Sequence, residues 1–250
     1  MDPTMEAMID PAIDSTIDPS LWNPQPSLSK PDHSMNLPDQ PGEVTCTCLS
    51  IMYLTLTELQ TLPSFSFPAV IPPLRHAMNT TSSIIHCEKC PQGVFSTIQN
   101  VQSLSALLSA IAERLHRVLF NIEEEAERLE RTGEKKPFRV GDSSPALQHL
   151  HTGTPDCPMG FNIHLDGKDW KALAKKALRT EVMGGGSNPT PFNGLLDQFE
   201  ERQHRWHKSD RNMDERKRIF GEHNMCRPGD AQCVRTINHI RVMINQMQWD

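Results

Sequence analysis

Apolar side chains recur at steps of three, four or seven through VFSTIQNVQSLSALLSAIAERLHRVLFNIEEEAERLERTG. Ile98, Val101, Leu104, Leu108, Ile111, Leu115, Val118, Ile122 and Leu129 make one stripe, and Gly133 follows as a stop. At 1.5 Å rise per residue such a helix spans roughly 55 Å. Helices beyond about 25 residues belong to a bundle spine or a coiled coil. Strict heptads are not kept, so the bundle spine is the expectation and a dimer seam the alternative.

The other segments continue the helical pattern. VTCTCLSIMYLTLTELQTL, from Val44, is ambiguous: its threonine alternation fits a strand and its leucine spacing fits a helix. Residues 73 to 88, PLRHAMNTTSSIIHCE, suit a helix with proline tolerated at its first position. DGKDWKALAKKALRTEVMGGG has Asp166 as N-cap, Asp169 three residues on, and Gly184 to Gly186 as terminator. Its apolar face is Trp170, Leu173, Ala174, Ala177 and Leu178. PFNGLLDQFEERQHRWH is a further amphipathic run, then comes the mixed-charge stretch KSDRNMDERKR. DAQCVRTINHIRVMINQM closes the chain. Five or six helices and few convincing strands predict an all-α fold, a bundle around one long central helix. The expected divisions are a tail over 1–43, a helical body over 44–210, and a charged segment with a final helix over 211–250.

Residues 1–43 hold eight prolines and keep no helical or strand period, so the tail is expected to be disordered. It repeats Ile9-Asp10, Ile13-Asp14 and Ile17-Asp18, followed by Leu21 and Trp22, with Pro11 and Pro19 interrupting. Acidic residues alternating with bulky apolar ones are the composition of activation segments. A solvated tail with incidental repetition is the other reading.

Composition narrows the functional classes. Twenty prolines and a net charge of −6 over 250 residues argue against both a uniformly compact enzyme and a wholly basic nucleic-acid binder. No apolar run approaches the roughly eighteen residues of a membrane span. The N-terminus lacks the basic start and apolar stretch of a signal peptide. The expectation is a soluble intracellular protein with no membrane partner. Its seven cysteines (46, 48, 87, 90, 157, 226 and 233) are then thiols or metal ligands.

Structural zinc takes four thiolate or imidazole ligands, usually as two close pairs. Cys46 with Cys48 and Cys87 with Cys90 form such pairs, and His86 and Cys157 are possible substitutes. Both pairs fall within expected helices, not in a tight knuckle, and cysteine is often buried without any metal. Packed thiols are therefore the expectation. No metal ligand, catalytic residue or cofactor is assigned.

In HLHTGTPDCPMGF, His149 and His151 would face one way on an extended segment, near Asp156 and Cys157. The glycine and prolines also fit a connector whose polar groups satisfy backbone. No nucleophile elbow, phosphate loop, dinucleotide fingerprint or zinc-protease motif occurs. Lys168, Lys171, Lys175 and Arg179 form a basic stripe, which Arg202, Arg205, Lys208, Arg211, Arg216, Lys217 and Arg218 extend. Interleaved Asp210, Asp214 and Glu215, without an aromatic series, favour solvated helix faces over a nucleic-acid groove.

Several segments, in order, resemble the C-terminal regulatory part of the fungal aflatoxin regulatory protein family. They are CLSIMYLTLTELQ, LRHAMNTTSSIIHCEKCP, IQNVQSLSALLSAIAERLHRVL, EEEAERLERTGEKKPFRVGD, HLHTGTPDCPMGF and DWKALAKKALRTEV, spanning about residues 46 to 184. The resemblance implies a nuclear transcription factor for clustered secondary-metabolite genes. Members usually begin with a six-cysteine, two-zinc cluster that reads DNA. Here Cys90 is followed by no cysteine until Cys157, and residues 1–43 contain none. Direct DNA contact is thus left open. The expected partners are the transcription machinery or a DNA-binding protein, with homo- or hetero-dimerisation through the long helix also open. The alternative is an enzyme or ligand-binding helical protein using the His149, His151 and Cys157 loop.

Overall fold

The computed structural model describes residues 46–249, apart from 91, 142–144, 153, 155 and 222–230. The tail over 1–43, with its Ile-Asp repeat, and Cys226 lie outside the described residues. The first helix, α1 (Cys48–Gln60), resolves the strand-or-helix ambiguity. Its threonines bond back to the helix itself: Thr55 Oγ1 donates to the Ile51 carbonyl and Thr57 Oγ1 to the Tyr53 carbonyl, each at 2.9 Å. Burial of Cys48, Met52, Thr55 and Leu59 follows steps of four and three, a helical face.

The second helix, α2 (Ile71–Ile85), begins with Pro72 and Pro73 in its first turn, where missing amide donors cost nothing. It ends at Ile85, not at residue 88 as its sequence suggests, so the CEKC segment lies beyond it. The long helix is α3 (Val94–Thr132), 39 residues closed by Gly133 at φ 69°. Leu104, Leu108, Ile111, Leu115, Val118, Ile122 and Leu129 are all buried, as the stripe requires. Toward the N-terminal end the buried face rotates to Val94, Thr97 and Asn100, leaving Ile98 and Val101 half-buried.

Two antiparallel strands follow, β1 (Lys136–Gly141) and β2 (Gly160–Leu165), with Phe138 opposite Ile163 and Arg139 opposite Asn162. A 3₁₀ segment, Pro145–Leu150, lies in the excursion between them. This ribbon is the strand content that the helical pattern conceals; the fold remains all-α in its architecture.

Next come α4 (Gly167–Met183), α5 (Phe192–Lys208), α6 (Met213–Phe220) and α7 (Gln232–Gln246). The Asp166 carboxylate caps α4 by accepting from the Asp169 amide at 2.8 Å, as predicted. The spine α3 touches α1, α2, α4 and α7, while α5 packs on α2, α4 and α7. Its apolar stripe is therefore used inside the chain. Val234, Ile237, Ile240 and Ile244 seat α7, and Trp249 Nε1 donates to the Ile244 carbonyl at 2.9 Å. Among the described residues no helix is long and apolar enough to cross a membrane.

Candidate metal centre

The two cysteine pairs meet at one end of the spine. Cys46 lies just ahead of α1 and Cys48 is its first residue, while Cys87 and Cys90 occupy the turn between α2 and α3. This corrects the expectation that both pairs sit inside helices: α2 stops two residues before Cys87. Docking α1 beside that turn brings all four sulfurs within 4.8 Å of one another. Cys46 Sγ is 3.1 Å from Cys90 Sγ and 3.7 Å from Cys87 Sγ. Cys48 and Cys90 are buried and Cys46 and Cys87 half-buried.

Backbone amides point at these sulfurs. The Cys48 N–H donates to Cys46 Sγ at 3.4 Å. Burial pushes the Cys87 thiol up, but hydrogen bonds from the Cys90 and Lys89 backbone and from the Cys48 and Cys90 thiols outweigh it, bringing Cys87 down to about 7. Burial pushes Cys48 up to about 12, and burial likewise raises Cys90. The half-buried Cys87 thiol is thus poised to ionise before Cys48 and Cys90.

Arg202 of α5 backs the cluster. Only 8% exposed, it donates from Nη1 to the Ile84 carbonyl at 3.3 Å and from Nη2 to Asn100 Oδ1 at 2.7 Å. Burial pulls its guanidinium below the usual range, and the field of Cys90, Cys87 and Cys48 acts in the opposite direction. Among the described residues no carboxylate pairs with it. An open cavity of about 610 Å³ lies alongside, lined by Cys87, Glu88, Arg202, Arg205 and Arg211 among others.

The basic residues divide. Lys175 is buried, with Nζ 2.8 Å from the Glu123 carboxylate that Lys171 also engages, so this part of the stripe fastens α4 to α3. Arg216 is buried too, its guanidinium carbon 4.2 Å from the Trp206 ring centroid and its Nη1 donating to the Ser209 carbonyl at 2.9 Å. Solvated faces describe Lys168, Arg205, Lys208, Arg211, Lys217 and Arg218, which are exposed, but not Lys175, Arg202 or Arg216.

In the excursion loop, His151 Nδ1 lies 3.5 Å from Cys157 Sγ. Hydrogen bonds from the Thr152 and Met159 backbone, joined by His151, hold the Cys157 thiol down at about 7. His149 is exposed at the end of the 3₁₀ segment. A pair that sequence reasoning missed is His207 with Cys233, Nε2 to Sγ 3.2 Å. They come from α5 and α7, and no local spacing relates them.

Set against known proteins, the chain is similar to a transcription factor named rglT in two strains of Aspergillus fumigatus. It is 27% identical to each over 194 residues, covering 74% of this chain and 41% of theirs. The similarly named protein of Emericella nidulans is 27% identical over 228 residues, covering 88% of this chain and 51% of its own. The chain thus spans about half or less of the curated relatives it matches. No protein-family profile matches it, so the aflatoxin-regulator resemblance is not carried further by that route. No solved structure matches it either.

Proposed function

We propose that these helices are the regulatory body of a fungal transcription regulator. It acts in the nucleus on a secondary-metabolite gene cluster, through protein partners. The observation that carries this reading is the 27% identity, over 74% to 88% of the chain, to proteins named as transcription factors. The mostly helical body supports it, because a helix bundle supplies docking faces without nominating reacting groups. The partners are the transcription machinery or a DNA-binding protein.

Deleting the gene is expected to lower transcripts of neighbouring biosynthetic genes, and a fluorescent fusion is expected in the nucleus. Unchanged transcripts reject the regulatory role, and a fusion excluded from the nucleus rejects the location.

A second reading, a ligand-binding or catalytic helical protein, is favoured by the His151–Cys157 contact. Under it, alkylation of Cys157 tracks a midpoint near 7, and His151→Ala moves that midpoint up. Loss of a bound small molecule in the same variant separates this reading from regulation.

A further inference from the structure

We propose that Cys46, Cys48, Cys87 and Cys90 hold one structural zinc ion that ties the start of α1 to the turn between α2 and α3. The site is separate from any DNA-reading zinc cluster and does not depend on the regulatory reading above.

The donor set fits one tetrahedral ion. Zinc–sulfur bonds of about 2.3 Å place the corners of a tetrahedron about 3.8 Å apart. The sulfurs here are 3.1 and 3.7 Å apart where contacts form, and none exceeds 4.8 Å. Those separations are far beyond the roughly 2.05 Å of a disulfide. Four soft donors converging this closely select zinc among the abundant divalent ions, and the set is too compact to enclose a multi-iron cluster.

Two further features point the same way. The backbone amide of Cys48 is directed at Cys46 Sγ, which suits a thiolate better than a neutral thiol. Arg202 supplies buried positive charge without a carboxylate partner among the described residues. Four thiolates around Zn²⁺ carry a net charge of about −2, about half of which the Arg202 guanidinium offsets. A metal-bound tetrathiolate would place a permanent negative charge near that guanidinium, and burying a guanidinium without one is costly. On binding, each thiol gives its proton to solvent and each sulfur lone pair bonds to the metal, with no change in oxidation state.

The experiment uses the full 250-residue chain, purified under reducing conditions from zinc-supplemented cells. Elemental analysis is expected to find about one zinc per folded chain. Replacing it with Co²⁺ is expected to give the intense visible bands of a tetrahedral tetrathiolate. Cys46→Ser and Cys90→Ser each lose most of the metal, while Cys157→Ser and Cys233→Ser keep it. A chelator strong enough to strip the ion lowers the Tm of the native chain. The proposal is overturned by a folded native chain with no stoichiometric metal, by stoichiometric iron, by a weak octahedral cobalt spectrum, or by disulfides among the four cysteines. The decision rests on the native chain, so a serine variant that fails to fold does not blunt it.

Discussion

Arg202 Nη2 donates to Asn100 Oδ1 at 2.7 Å, joining α5 to the first turns of the spine where both side chains are buried. Among the described residues two neutral acceptors hold this guanidinium, the amide oxygen and the Ile84 carbonyl. A hydrogen bond to a charged group contributes more than one between neutral groups.

Asn100→Leu is therefore expected to lower the unfolding free energy by roughly 1.5 to 3 kcal/mol, since it removes an acceptor and leaves the cation buried. Urea denaturation at unchanged m-value reads this directly. A loss below about 0.5 kcal/mol would show that water replaces the amide without cost.

Trp170 of α4 is 2% exposed, with ring centroids of Phe67 and Phe138 at 5.7 and 6.1 Å and Lys136 Nζ 4.5 Å from its ring. Truncation to alanine opens a cavity between α3, α4 and the ribbon, and is expected to cost about 3 to 5 kcal/mol. Its indole N–H has no hydrogen-bond partner among the described residues. Trp170→Phe keeps much of the packing and removes that donor, so its expected cost is below about 1.5 kcal/mol. Chemical denaturation of the two variants checks the ordering; equal losses would mean that ring volume is not what Trp170 contributes.

Gly167 opens α4 against the spine. A Cβ there would lie 2.5 Å from the Ala126 carbonyl oxygen and 2.7 Å from Glu130 Cγ. The glutamate can swing aside, but the backbone oxygen cannot. Gly167→Ala is expected to destabilise by about 1 to 3 kcal/mol despite alanine's better helix propensity. Lys168→Ala, one residue on and exposed, is expected to change stability by less than about 0.5 kcal/mol. Thermal melts of the pair separate close approach from propensity.

Gly167 also shows where sequence reading stops. The spine stripe from Leu104 to Leu129, the Asp166 cap and the Gly133 stop are local patterns, each set by residues within a turn or two. Close approach of α4 to Ala126 is a tertiary fact with no period of its own. The cysteines fail for a related reason. Placing the end of α2 at residue 88 puts Cys87 in a helix, whereas its end at Ile85 frees the CEKC turn. Local spacing then has no means of reporting that Cys46, 44 residues away, reaches Cys90. The short strands 136–141 and 160–165 were hidden because each is six residues long and they pair across a wide excursion. Lys175 reads as surface from its charge, and only the position of Glu123 on α3 explains its burial.

Glu125 sets a pH dependence. Its carboxylate receives Arg128 Nε at 2.8 Å and Lys136 Nζ at 2.6 Å, which ties β1 to the spine. Hydrogen bonds from Arg128, and then from Lys136, outweigh burial and bring Glu125 down to about 2. An unfolded glutamate titrates near 4.3. A depressed folded value means that the stabilisation is fully present above about pH 4.3 and is lost as pH falls toward 2. The fall from about 4.3 to about 2 corresponds to about 3 kcal/mol at most. The pair is partly exposed, so solvent screening reduces this to about 1 to 2 kcal/mol. Glu125→Gln is expected to be less stable than the parent by that amount near pH 7, with the gap closing progressively between about pH 4 and pH 2. Urea midpoints of both proteins across that range test it: a gap that stays constant down to the lowest pH would assign the loss to altered packing and not to the charge on Glu125.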